Sequence, residues 1–136
     1  MEDKTKSGFA ITGLILLESN FKRENNVQFV ETVQNDMHIE TEVQTKDASI
    51  MVLETVTISQ KYEKMEQVSI MVKMAGVFER VGESKLEDLE QFGKINGAAI
   101  IFPYIREHIS NLSLKAGIPP IILPPVNFTK MQGNNR

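Results

Sequence analysis

The run Ile118–Phe128 constrains this chain more than any other stretch. It reads Ile-Pro-Pro-Ile-Ile-Leu-Pro-Pro-Val-Asn-Phe, with four prolines and six Ile, Leu, Val or Phe among eleven residues. A proline ring fixes φ and removes a backbone donor, which bars the run from a helix interior and from a central strand. It is also far too apolar for an ordinary surface loop. An extended, irregular, hydrophobic segment has to lie against an apolar surface, and the rest of the chain must supply it.

The preceding residues supply part of it. Ala98, Ile101, Phe102, Ile105, Ile109, Leu112 and Ala116 recur at spacings of three and four, predicting a helix over 98–116 with one buried face. Arg106, Glu107, Ser110, Asn111 and Lys115 fill the opposite side, and Gly117 ends the helix. Pro103 is tolerated in a first turn and kinks the helix if it lies deeper. Ser84 and Glu87 form a capping-box pattern opening a short helix through Leu86, Leu89 and Phe92, which Gly93 and Gly97 separate from the longer one.

Upstream the apolar period drops to two. Phe9–Leu17 reads as a strand with Phe9, Ile11, Gly13, Ile15 and Leu17 on one face and Ala10, Thr12, Leu14 and Leu16 on the other. Both faces of its second half are apolar, so both need cover, from the chain itself, another subunit or a ligand. Val27–Val33 is read as a second strand or the first half of a bent one. Met37–Thr45 alternates cleanly, Ile50, Val52, Glu54, Val56 and Ile58 alternate with Met51, Leu53, Thr55 and Thr57, and Val68–Met74 returns. Short connections join these four or five strands, so the sheet is antiparallel. The expected class is α+β, a four-stranded antiparallel sheet with C-terminal helices on one face.

At 136 residues there is room for one domain, with 1–7 and 130–136 as mobile tails. The net charge of -3 argues against nucleic acid as a partner. The absence of cysteine excludes disulfides, thiolate metal sites and a cysteine nucleophile. No apolar run approaches the roughly 18 residues of a membrane span, and the expected compartment is the cytoplasm. His38 beside Glu40 and the isolated His108 lack the second ligand a metal site needs. No phosphate loop, dinucleotide fingerprint or serine elbow occurs. The expectation is a binding protein without enzymatic activity, metal or cofactor, in which methionines such as Met37, Met51, Met65, Met71, Met74 and Met131 either fill the core or soften an adaptable surface.

Ile101-Phe102-Pro103-Tyr104-Ile105-Arg106-Glu107, then Gly117-Ile118-Pro119, then Leu123-Pro124-Pro125-Val126-Asn127-Phe128 resembles the SecB protein-export chaperone family. Val56-Thr57-Ile58-Ser59, Gly76-Val77-Phe78 and Ile11 to Phe21 extend the likeness upstream. The resemblance implies an ATP-independent holdase, assembled as a homotetramer from two dimers, that binds unfolded polypeptides along hydrophobic grooves. Carried onto this sequence, the groove residues are Leu14, Leu16, Phe21, Ile118, Ile121, Ile122, Leu123, Val126 and Phe128. The oligomer interface is assigned to Ile101, Tyr104, Ile105 and His108. The family also presents acids to the basic zinc-binding tail of the SecA motor. Glu18 matches one such position, but Lys22 stands where a second acid is expected, and Ser69 and Met71 fall near an apolar–acidic pair. A lysine repels a basic partner, which argues against SecA engagement. That departure, with a basic C-terminal end in place of the family's acidic tail, raises the alternative of a chaperone dedicated to one partner, such as an antitoxin.

Overall fold

A computed structural model of the chain describes residues 8–81 and 89–130. Four strands, β1 (Gly8–Arg23), β2 (Gln34–Lys46), β3 (Ser49–Tyr62) and β4 (Met65–Val81), form one antiparallel sheet in the order β1-β4-β3-β2. A short helix α1 (Leu89–Phe92), a π-helical turn (Gly93–Gly97) and the long helix α2 (Ala98–Lys115) follow without interruption. The expected α+β architecture is what the chain adopts.

The two-residue period builds this sheet directly. Ile50, Val52, Val56 and Ile58 of β3 and Val68, Ile70, Val72, Met74 and Phe78 of β4 point to one face. There they are buried with Ala98, Ile101, Phe102, Ile105 and Ile109 of α2. Asp47 at φ 54° turns β2 into β3. Glu63 and Lys64, at φ 51° and 67°, make a two-residue connection from β3 to β4. Two successive left-handed residues match the twist of the flanking strands.

The structure corrects the reading of β1. Register shifts between Ile11 and Gly13 and between Leu16 and Glu18 move the strand's faces twice. Phe9, Ile11, Leu14, Leu16 and Phe21 therefore pair with covered-face positions of β4, although simple alternation separates them. A bulge inserts an extra residue and resets the count, which brings Phe9 and Ile11 to the face of Leu14 and Leu16, while Ile15, opposite Ala75, leaves the second half of the strand apolar on its other face as well.

Val27–Val33 is not a strand. Its backbone is held by a side chain instead: Gln67 Oε1 accepts from the Gln28 amide at 2.9 Å, and Gln67 Nε2 donates to the Gln28 carbonyl at 3.0 Å. The Val33 amide then closes a turn onto the Val30 carbonyl. β4 continues past Met74 to Val81, through Ala75-Gly76-Val77-Phe78 rather than ending there.

Gly93 and Gly97 do not separate two helices. They let one helical run press onto the sheet: a Cβ on Gly93 would stand 2.7 Å from Val43 Cγ2, and one on Gly97 2.9 Å from Val52 Cγ2. Gly76 gives the same clearance from below, 2.8 Å from Ile101 Cδ1. Pro103 lies inside α2 with its ring exposed. Gly117 ends the helix at φ +72°, a conformation without strain only for glycine. The capping-box residues Ser84 and Glu87 and the two expected tails, apart from Lys130, lie outside the described residues.

Candidate functional site

Four prolines keep residues 118–128 irregular, and the apolar residues among them sort by direction. Ile118, Ile121, Leu123 and Phe128 are buried in the core, and Val126 is half-buried, whereas Ile122 is 81% exposed. Three ties hold the segment in place. Ser113, buried on α2, donates to the Ile109 carbonyl at 2.9 Å and accepts from the Ile121 amide at 3.4 Å. The rings of Phe102 and Phe128 meet edge to face with centroids 5.8 Å apart. At the α2 end, the Arg23 guanidinium donates to the Ala116 carbonyl at 2.6 Å.

A groove of about 790 Å³ runs along the free edge of β2. Met37, Ile39 and Thr41 border it on the helix-covered side, together with Val126 of the extended segment and Lys94 of the π-helical turn. The lining continues onto the sheet's other face, where it is mostly polar, with His38, Glu40 and Glu42 of β2, Leu53 and Thr55 of β3 and Lys73 of β4. Lys94 is paired with Glu90 at 3.4 Å, and His38 with Glu40 at 3.4 Å. The arrangement suits an extended chain: an apolar wall, a strand edge with unpaired backbone groups, and a charged rim.

One strand inward, directly opposite Thr41, lies Glu54. It has no exposed surface, and neither carboxylate oxygen has a hydrogen-bond partner. Burial alone pushes its carboxyl up to about 8, so it is neutral at pH 7. The signal was in the sequence as a single acid within the inward set Ile50, Val52, Glu54, Val56 and Ile58.

The residues assigned by resemblance fall into separate places. Leu14 and Phe21 lean half-buried onto the core, while Leu16, 45% exposed, lies on β1, at the opposite sheet edge from the groove. Ile118, Ile121, Leu123 and Phe128 face the core, leaving Ile122 and Val126 as the segment's accessible apolar residues. Ile101 and Ile105 have no exposed surface and pack within the chain's own core. Tyr104 is exposed, and His108 Nε2 meets Ser19 Oγ of β1 at 2.9 Å. Met37 is anticipated as one of the methionines of an adaptable surface, whereas Ile39, Thr41 and Lys94 were not singled out from sequence, because nothing in a linear pattern places β2 beside Val126.

Comparison with known proteins agrees with this architecture. An uncharacterised protein of Methanocaldococcus jannaschii is 29% identical over 138 residues, covering 98% of this chain and 88% of that protein. The protein-export protein SecB of Chromobacterium violaceum is 27% identical over 139 residues, covering 99% of this chain and 92% of its own length. Among solved structures, the Mycobacterium tuberculosis SecB-like chaperone in complex with a ChAD peptide from the HigA1 antitoxin superposes with a TM-score of 0.77 at 18% identity, over 88% of this chain and 91% of that one. The family of the preprotein translocase subunit SecB matches residues 2–136, and the chain belongs to the SecB family.

Proposed function

We propose that this chain is an ATP-independent holdase that captures extended apolar segments of non-native polypeptides in the groove between β2 and the segment 118–128. The observation that carries this reading is a groove that Val126 of the apolar segment lines, in a segment whose Ile122 is exposed while its neighbours Ile121 and Leu123 anchor it in the core. Prolines preset the segment's backbone, which keeps an exposed isoleucine from collapsing into the core and removes donors that would recruit a β partner. No nucleotide or metal enters the proposed mechanism. Among the described residues no helix is long and apolar enough to cross a membrane.

The working unit in this reading is a homotetramer built from two dimers. Ile15, Leu16 and Leu17 on the edge strand β1 and Tyr104 and Leu114 on α2 are large exposed apolar residues that a second copy would cover. The Ser19–His108 contact ties these two surfaces together. A reduced, unfolded client mixed with stoichiometric tetramer should stay soluble without ATP and co-elute with it in light scattering. Aggregation at the client's unassisted rate would sink the proposal.

A second reading, a chaperone dedicated to one partner, draws support from Lys22 in place of an acid and from the fold shared with a chaperone solved with an antitoxin peptide. Binding of several unrelated unfolded clients with equal affinity would exclude it.

A further inference from the structure

Among the described residues, Glu54 is the one charged side chain without exposed surface, and it stands in the middle of the covered face of β2, β3 and β4. The others on that face are Met37, Ile39, Thr41 and Val43 of β2, then Ile50, Val52, Val56 and Ile58 of β3, and the apolar β4 series from Val68 to Phe78. The inward residues of α2 and of 118–128 are likewise uncharged. Lys94, on the π-helical turn, is the cation bordering the groove on this side, and it is held by Glu90. A carboxyl in such a place has no stable ionised form where it stands. Its route to water is short in one direction. Toward β1 it would have to pass two strands, whereas toward β2 it passes only Thr41, whose side chain lines the groove. Directly opposed side chains on one face stand about 5 Å apart at Cβ, within the reach of a glutamate.

We propose that Glu54 is a proton-operated latch on the β2 groove: protonated, it completes the apolar layer beneath the groove, and ionised, it swings past Thr41 toward Lys94 and opens that layer. The proton leaves to solvent and no other bond changes. Ionisation would compete with Glu90 for Lys94 and add a negative charge to the apolar wall, so the groove has a closed and an open form set by pH.

The test needs no client, and its outcome is therefore independent of the holdase reading. Carbon-detected NMR of 13C-glutamate protein should place the Glu54 carboxyl midpoint at about 8, well above the ordinary 4.5. The methyl resonances of Ile39 and Val126 should move with that same midpoint. In Glu54→Gln the methyl transition should vanish, leaving only changes that follow His38, His108 and the rim carboxylates Glu40 and Glu42. Titration of Glu54 in the ordinary carboxylate range would overturn the proposal. So would a raised midpoint without movement at Ile39 and Val126, which can be read from the wild-type protein even if the Gln variant fails to fold.

Discussion

Arg23 Nη1 donates to the carbonyl of Ala116 at 2.6 Å, joining the last residue of β1 to the C-cap of α2 across 93 residues of sequence. The same guanidinium donates to the carbonyls of Glu24 at 2.8 Å and Asn25 at 2.8 Å. A cation on a helix C-terminal carbonyl satisfies an otherwise orphaned acceptor and opposes the negative end of the helix dipole. Because Gly117 and the extended segment begin there, Arg23 also fixes where that segment starts. Arg23→Ala should lower stability by about 1–3 kcal/mol in urea unfolding, and Arg23→Lys should recover only part of it, since one ammonium cannot reproduce the three-way fork.

Ile121 and Ile122 are neighbours with opposite assignments. Ile121→Ala should cost about 2–5 kcal/mol of stability through the cavity it leaves. Ile122→Ser should shift stability by less than about 0.5 kcal/mol, yet weaken client binding. Fluorescence anisotropy of a labelled unfolded client, read beside the urea midpoint, separates the two. Equal loss of stability in both variants would remove Ile122 from the binding surface.

Ser113→Ala tests the tie between α2 and the extended segment. It leaves the buried Ile121 amide without its acceptor, at a cost of about 1–3 kcal/mol. Hydrogen exchange should accelerate at Ile121 more than in the middle of α2. Unchanged protection at Ile121 would show that the 3.4 Å contact does not hold the segment.

Gly93→Ala forces a methyl to within 2.7 Å of Val43 Cγ2 and should destabilise by about 1–3 kcal/mol. The double variant with Val43→Ala should recover part of the loss, giving a coupling that a double-mutant cycle reads directly. Additive losses would mean that the helical run moves away from the sheet rather than pressing on Val43.

Glu54 gives the fold a pH dependence of definite sign. Its folded value, about 8, lies above the ordinary 4.5 that it regains on unfolding. Between those two values the unfolded chain releases a proton that the folded chain keeps, so stability should fall as pH rises from about 4.5 and level off above about 8. The full change is on the order of 3–5 kcal/mol at 1.36 kcal/mol per pH unit. Glu54→Leu should flatten this slope and raise stability at pH 8, as the loss of an unpaired buried acid requires. Urea midpoints across pH 5 to 9 check both statements.

Much of this fold is written plainly in the sequence. The inward set of β3 and the buried stripe of α2 follow from period alone, and the prolines exclude regular structure from 118–128. What was hidden has physical causes. Two bulges in β1 reset an alternation that a linear reading carries straight through. Val27–Val33 has strand composition, but the Gln67 side chain meets its backbone needs in place of a neighbouring strand. Gly93 and Gly97 look like helix breakers until the clearance to Val43 and Val52 shows that a side chain has no room there. The extended segment was recognisable as a wall, but which of its residues face outward depends on proline geometry and on Ser113, a small polar residue within an apolar stripe. The β2 groove depends on contacts between residues some ninety positions apart, which periodicity does not encode.

The two bulges of β1 have a counterpart in their absence from β2, whose pairing with β3 runs without a register shift from Gln34 to Lys46. A straight, unbroken strand border is the kind from which fibrils grow, because each added chain offers the next an identical template. β2 meets that hazard with charge, through Asp36, Glu40, Glu42 and Lys46. Stacking such a border on copies of itself in register would align like charges at every layer. A molecule that must keep a sticky surface open thereby guards itself against its own kind, and it does so on the side where its backbone is most inviting.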